Sequence, residues 1–510
     1  MTTFKARLSW LIPFAAMALF AAGCGTNEVT PNDTTDDVAV NDVAGDVAGD
    51  VVAPDVADIV SADIGNLPTT GYSAGMGVAD VTGPVGMIMG GYGICINAPD
   101  ACRYSEGAHD PLLSRALAIR DNATGEFVIF ITNDLVGVLR YDIDLIQEAA
   151  VERFYHEFGI KDFDTKRIII SATHTHHSTD TMGMWGPLDG SGRNEEYATM
   201  MRGKILDAAV DAYRDMKAVN IYWAAPASAP NYDDDVYADD MSMYTLRFED
   251  KQTSTTRFTM TRWSAHPTNY PQALSGFSAG HPGVFCKQME GMTGAPAMYF
   301  SGVLGSVYPS SYEGCDMADV FPDGYQDPDL AISFVSDVTC IGTRVAEAAY
   351  AAIADEVLIP ETGIKYRHHK LSFHPETTIP IMFDYTMFSF VQMGPLHFEV
   401  PPPDQINNPD STMDTQFMWV TIGDVDFVTM PGEGFPAFGK QIEAVLAPVS
   451  SKVVTMGLTG DWLGYILTEQ QWADDDGKTQ YNKALSGGKY LPKRFMEDLQ
   501  IMVDAEKPVD

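Results

Sequence analysis

The spacing of apolar residues changes period twice between positions 126 and 172. From Glu126 to Thr132 the chain is a short, nearly continuous apolar run, which predicts a buried strand followed by Asp134. From about Asp142 to Phe158, Ile143, Ile146, Ala150, Phe154 and Phe158 recur every three or four residues; that spacing predicts an amphipathic helix, which Gly159 ends. Arg167 to Ala172 returns to a compact apolar run and a second strand. Strand, helix, strand is the α/β alternation, and the predicted class is α/β with mixed β-sheets flanked by helices. Further along, Thr256 to Ala265 alternates as a sheet strand, and Val425 to Met430 runs into Pro431-Gly432-Glu433-Gly434 before a helical Phe438 to Leu446. In α/β sheets the groups just past strand ends line the ligand crevice, and His174, His266 and Glu433 all stand there. Met382 to Met393, dense in Phe, Met and Tyr, reads as core packing, with an acyl-chain surface as the alternative.

The ends of the chain follow different rules. Lys5 and Arg7 precede an apolar run from Leu8 to Ala22, broken by Pro13, which is the layout of a secretory signal peptide and too short for a membrane span. Ala21-Ala22-Gly23 before Cys24 resembles a bacterial lipoprotein cleavage box, so residues 1–23 are expected to be removed and Cys24 to carry lipid. The expected protein is exported and membrane-anchored, periplasmic or at the cell surface. Residues 24–68 are rich in Asp, Val, Ala and Thr, with no aromatic residue to bury, and read as a disordered acidic linker. Residues 69–510 are then the catalytic domain. With 32 basic against 70 acidic residues, nucleic acid is an unexpected partner. Export permits disulfides; Cys95 with Cys102 and Cys315 with Cys340 are candidate pairs, leaving Cys286 as a buried free thiol.

Candidate chemistry is concentrated in Thr173-His174-Thr175-His176-His177, which places three of the chain's 11 histidines at a strand end. On a strand, His174 and His176 share one face and His177 the other. That spacing offers one point two metal ligands, or a ligand and a proton-transfer group. A plain polar strand end is the alternative.

At this point the residues resemble a known family, the neutral, non-lysosomal ceramidases, which are zinc amidohydrolases of the N-acyl bond of ceramide. The resemblance spans most of Gly75 to Gly488. It rests on Gly77-Val78-Ala79-Asp80-Val81-Thr82-Gly83-Pro84, Met89-Gly90-Gly91-Tyr92, Ser171-Ala172-Thr173-His174-Thr175-His176, Ala265-His266, Pro431-Gly432-Glu433 and Gly464-Tyr465-Ile466-Leu467-Thr468, in that order. It implies zinc held by His174, His266, Glu433 and Tyr465, with a water in the remaining position activated to attack an amide carbonyl. It also implies catalytic roles for His176 and His109 in proton transfer or support, and for Tyr481 in stabilising the oxyanion. The implied partners are an N-acylated lipid or other amide, and a membrane through Cys24.

The chain also departs from that family. His177-Ser178-Thr179-Asp180-Thr181-Met182-Gly183 stands in place of Ser-Gly-Pro-Gly-Gly. Asn231-Tyr232-Asp233-Asp234-Asp235 replaces an Asn-Arg-Ser segment, and Gly305-Ser306-Val307-Tyr308-Pro309 replaces Gly-Asp-Val-Ser-Pro. The chain stops soon after Gly488, where the family carries an immunoglobulin-like domain. Three readings stay open: a ceramidase-like zinc amidohydrolase, a hydrolase of a non-ceramide amide or ester, and a lipid-anchored binding protein without turnover.

Overall fold

The structure is a computed structural model that describes residues 67–93, 95, 102–187, 192–229, 231–233, 237–268, 270, 272, 274–309, 338–374, 412–474 and 479–507. The signal and linker segments, Met382 to Met393, Cys315, Asp234 and Asp235 lie outside the described residues.

Strands run in the order Tyr72–Asp80 (β1), Gly107–Ala108 (β2), Leu113–Asp121 (β3), Phe127–Asn133 (β4), Ile168–Ala172 (β5), Lys217–Ser228 (β6), Asn231–Asp233 (β7), Ser242–Asp250 (β8), Thr256–Trp263 (β9) and Gly276–Phe277 (β10). Then come Ala297–Ser301 (β11), Val307–Pro309 (β12), Val357–Leu358 (β13), Ile364–Phe373 (β14), Met413–Ile422 (β15), Val425–Thr429 (β16), Glu433–Gly434 (β17), Val453–Met456 (β18) and Tyr465–Ile466 (β19). The helices are Arg140–Phe158 (α1), Glu195–Arg214 (α2), Gly280–Thr293 (α3), Val338–Ala352 (α4), Pro436–Leu446 (α5), Glu469–Ala473 (α6), Gln480–Ala484 (α7) and Tyr490–Glu506 (α8).

The expected strand, helix and strand between 126 and 172 are β4, α1 and β5. Gly159 closes α1 in the left-handed conformation, φ 69°, where a glycine lacks the Cβ penalty. β5 begins one residue late, because Thr165–Arg167 form a 3₁₀ turn capped by the Asp164 carboxylate.

Alternation along β4 explains why it reads as a continuous apolar run: both of its faces are buried. Ile129 and Ile131 meet Ile143, Ile146 and Phe154 of α1 and Met201 and Ile205 of α2. Val128 and Phe130 meet Val420, Ile422, Phe427 and Met456 of a second sheet. The first sheet is mixed, in the order β11-β9-β8-β6-β1-β3-β4-β5 with β13 on β6; the second is β14-β15-β16-β18. The second sheet's far face puts Phe417, Trp419 and Val428 against Phe438 and Ile442 of α5 and Phe495 and Leu499 of α8. Helices, sheet, sheet and helices therefore stack as four layers, the α/β arrangement expected. At the β9 and β11 end of the first sheet, Phe285 and Met289 of α3 and Val345 of α4 cover Trp263 and Tyr299. Each such side chain, fully buried, contributes about 1.5–3 kcal/mol.

Cys95 and Cys102 are bonded, with Cα atoms 5.0 Å apart. Cys340 is also disulfide-bonded. Cys286 is a buried free thiol, and burial pushes it up to about 12, so it is not a nucleophile at neutral pH. Among the described residues no helix is long and apolar enough to cross a membrane.

The glycines of the opening motif have a packing reason. A Cβ at Gly77 would lie 2.1 Å from the Ala208 carbonyl oxygen of α2, and one at Gly75 2.4 Å from that of Ala212. α2 thus rests directly on the backbone of β1. Gly77→Ala is expected to lower unfolding free energy by about 1–3 kcal/mol through overpacking. Val78→Ala, at a half-exposed position on the same strand, is expected to stay within about 0.5 kcal/mol of the parent. Denaturant melts of the two variants check the difference.

Candidate metal centre

β5 ends at Ala172, and His174 takes a left-handed φ of 69°. This corrects the expectation of a shared strand face: His174 and His176 are brought together by a turn beyond the strand. Such a conformation costs a residue with a Cβ about 1–3 kcal/mol and is found where surrounding bonds over-determine it. Here the N–H of Thr173 donates to Asn133 at 2.8 Å and that of His174 to Leu135 at 3.0 Å. The Nδ1 of His174 donates to the Val136 carbonyl at 2.6 Å.

That last bond determines the chemistry of the ring. A carbonyl only accepts, so Nδ1 carries the proton and Nε2 presents a lone pair. His266 repeats the device, with Nδ1 donating to the Val307 carbonyl at 3.2 Å. Both Nε2 atoms then face a carboxylate: His174 lies 3.4 Å from Oε1 of Glu433 and His266 3.0 Å from Oε2. His176 adds a third imidazole, its Nε2 3.2 Å from that of His174. Ligand atoms of the three histidines all lie within 4.8 Å of one another. Neutral imidazoles in these tautomers point lone pairs at a carboxylate, and only a cation at the shared point, a proton or a metal ion, relieves the opposition.

Charge in the pocket follows from this geometry. Burial works against ionising Glu433, yet His174 and His266 hold its carboxyl well below the usual range. Burial alone would push His174 down, but the Glu433 charge overrides it and raises the ring. His176 is pushed well below its ordinary value, first by burial and then by the other imidazoles, and stays neutral. The indole N–H of Trp462 donates to Oε1 of Glu433 at 3.0 Å and fixes the carboxylate plane.

Tyr465 reaches the same point by pairing: β17 and β19 are parallel, with Glu433 opposite Tyr465. Burial first, then the Glu433 charge and neighbouring phenols, raises the Tyr465 hydroxyl well above its ordinary value. Tyr481, on α7, is 66 % exposed and its ring lies 6.1 Å from that of Tyr465, at the mouth of the pocket. His109 is exposed at the surface; its ring meets Tyr270 at 5.6 Å, and Tyr270 in turn meets His177 at 5.5 Å. The structure thus brings His174, His176, His266, Glu433 and Tyr465 together, sets Tyr481 beside them, and leaves His109 at the surface, separated from His176 by the rings of Tyr270, His177 and Tyr92.

Some supporting groups carried no signal of their own in the sequence: the Val136 and Val307 carbonyls, and Trp462, whose indole N–H needs a partner once buried. The Met89-Gly90-Gly91-Tyr92 motif does belong here. A Cβ at Gly91 would meet the Cβ of His176 at 2.5 Å, and the Tyr92 ring packs edge-on to His176 at 4.7 Å.

Imidazole nitrogens, a carboxylate and a phenol are the donor types that zinc accepts, and His174 and His266 each have their second nitrogen anchored on a backbone carbonyl, as metal-binding histidines do. The residues fit the ion that the family resemblance implies.

Residues 72–295 match the family profile described as neutral/alkaline non-lysosomal ceramidase, N-terminal. The fold is similar to the crystal structure of neutral ceramidase from Pseudomonas aeruginosa, at 17 % identity and TM-score 0.65 over 87 % of this chain and 76 % of that one. It is likewise similar to a ceramidase complexed with C2, at 16 % identity and TM-score 0.64 over 85 % of this chain and 74 % of that one. No curated protein matches by sequence.

Purified protein is expected to carry about one divalent metal ion per chain. Elemental analysis should find that ion lost from His174→Ala, His266→Ala and Glu433→Ala and kept in His109→Ala.

Proposed function

We propose that this chain, whose residues 72–295 match the neutral/alkaline non-lysosomal ceramidase family, is a zinc-dependent amidohydrolase cleaving the N-acyl bond of a ceramide-like lipid. The family match and the fold support an amide hydrolase of the ceramidase kind; the zinc and the lipid are our reading. The single observation that carries it is the convergence of His174, His266 and Glu433 on one point, with the two imidazole lone pairs turned toward the carboxylate.

Zinc, when bound, supplies a Lewis acid that polarises a carbonyl and acidifies water. The chain's own residues do the rest. The Val136 and Val307 carbonyls hold His174 and His266 in the tautomer that presents Nε2. His176, kept neutral, is placed to take a proton at Nε2, and its Nδ1 is buried with no partner. Tyr481 keeps a phenol O–H at the pocket mouth, a donor for the carbonyl oxygen as charge develops there. Trp462 and Tyr465 are buried beside Glu433 while Tyr481 is exposed, and the substrate is proposed to enter from the Tyr481 side.

A non-ceramide amide remains a second reading, because β7, which carries Asp233, pairs with β12 directly beside His266. Export and anchoring through a lipidated Cys24 belong to the proposal as well.

Fatty-acid release from ceramide and from a panel of N-acyl amino acids tests the chemistry, and removing metal with a chelator should abolish it. Tyr481→Phe is expected to lower kcat by about 10²–10³-fold with KM and metal content unchanged. An unchanged kcat would take the oxyanion role from Tyr481. For the anchor, wild-type protein expressed in a bacterial host should sediment with membranes, whereas Cys24→Ser should be released; identical fractionation of the two would refute lipid attachment there.

A further inference from the structure

Tyr308 lies one residue past the carbonyl that fixes His266, and its ring is laid on that imidazole with centroids 5.2 Å apart and planes 19° from parallel. β12 therefore grips His266 twice: the Val307 carbonyl sets the tautomer, and the Tyr308 ring covers a face. His266 is 2 % exposed while Tyr308 is only half-buried, so the phenol ring forms the outer side of the imidazole. His266 also faces the Tyr465 ring, 6.3 Å away, so Tyr308 and Tyr465 are both neighbours of that imidazole. Tyr465 in turn meets the Tyr481 ring at 6.1 Å, so the aromatic contacts run from Tyr308 through His266 and Tyr465 to the exposed Tyr481. β12 is in turn paired with β7, Tyr308 opposite Tyr232, so the ring rides on a two-stranded ribbon and not on a free loop.

A ring in this position covers one face of His266 on the side nearer solvent. A hydroxymethyl side chain, as in the serine of the resembled motif, would leave that face open.

We propose that Tyr308 is a specificity-determining residue: its ring walls the pocket over His266, so that the site takes amides whose group on that side of the scissile bond is slender or flat and rejects a branched or bulky one. This rests on the amide-hydrolase reading of the same site. A single methylene in an apolar pocket changes discrimination by about 10–200-fold, and a phenol ring is several times larger than that.

The test compares wild-type protein, Tyr308→Phe and Tyr308→Ser on two series of amides. In one, a dodecanoyl group is joined to amines from glycine to sphingosine; in the other, glycine is joined to acyl groups from acetyl to branched chains. Bound zinc is measured by elemental analysis, and binding of N-dodecanoyl sphingosine to the zinc-free proteins is followed by tryptophan fluorescence. Tyr308→Phe should keep the wild-type order of kcat/KM. Tyr308→Ser should raise kcat/KM for bulky relative to slender members of one series by about 10–200-fold, with zinc content unchanged and tighter binding of the bulky amide by the zinc-free protein. The proposal is overturned if the order in Tyr308→Ser stays within about twofold of wild type in both series, or if Tyr308→Phe shifts it equally. Loss of zinc from Tyr308→Ser also overturns it, since the ring would then serve only to hold His266. Wild-type protein that turns over no amide in either series would sink the hydrolase reading, while the binding measurements on zinc-free protein would still decide the wall.

Discussion

The rest of the site depends on one opposition: Glu433 is a buried carboxylate, and the imidazoles nearest to it present lone pairs. Removing one partner from a buried charged pair costs about 3–5 kcal/mol, because the other is left without compensation. Glu433 has several partners, and each is held by a different part of the chain. His174 is anchored on Val136, His266 on Val307, Trp462 follows the segment that leaves β18, and Tyr465 pairs with Glu433 across β17 and β19. The donors are fixed before any ligand arrives, which is what lets them act without reorganising.

That convergence is built by close backbone approach at residues 457–460. The N–H of Gly457 donates to Ser301 at the end of β11, that of Leu458 to Gly432, that of Thr459 to Met430 and that of Gly460 to Ile170 in β5. A Cβ at Gly457 would lie 2.2 Å from the Gly302 carbonyl oxygen, so no larger residue fits between the two sheets there. One short turn thus ties the ends of β5 and β11, the two terminal strands of the first sheet, to the segment that delivers Glu433. Gly305 continues the seam: its N–H donates to Gly434 at 2.9 Å, and a Cβ there would meet the Glu433 carbonyl oxygen at 2.5 Å. Strain collects at the same seam, with His174 at φ 69° and Leu458 at φ 47°.

Periodicity was enough for the elements around the site. The α1 stripe, its stop at Gly159, and the apolar runs of β4, β5 and β16 follow from burial on one or two faces, which sequence records directly. The histidine cluster was legible as chemistry but not as geometry, because strand alternation gives the right pair, His174 and His176, for the wrong reason. Nothing local marks His266 or Glu433 as neighbours of His174; that proximity comes from the curl of the first sheet and the 457–460 turn, and motif order stood in for it. The groups missed altogether were backbone carbonyls and a buried indole, whose roles depend on where another segment happens to lie. Tyr308 was visible only as a departure from a motif; its stacking on His266 needed the β12–β7 ribbon.

The four proposed ligands come from segments separated by 92, 167 and 32 residues, counting from His174 to His266, to Glu433 and to Tyr465. An unfolded chain cannot present such a set at one point, so a cation bound there binds the folded state alone, and its binding free energy becomes folding free energy. The gain grows as RT ln(1 + [L]/Kd), about 2.7 kcal/mol at a hundredfold excess over Kd. It also offsets the left-handed His174 and the buried carboxylate, both of which oppose folding when no cation is present. On the proposed reading, a seam that stores strain and charge would be relieved by an ion, which would then help hold the two sheets together, and the glycines at 305 and 457 serve that seam. They let the backbones approach closely enough for separate edges of the fold to converge on Glu433.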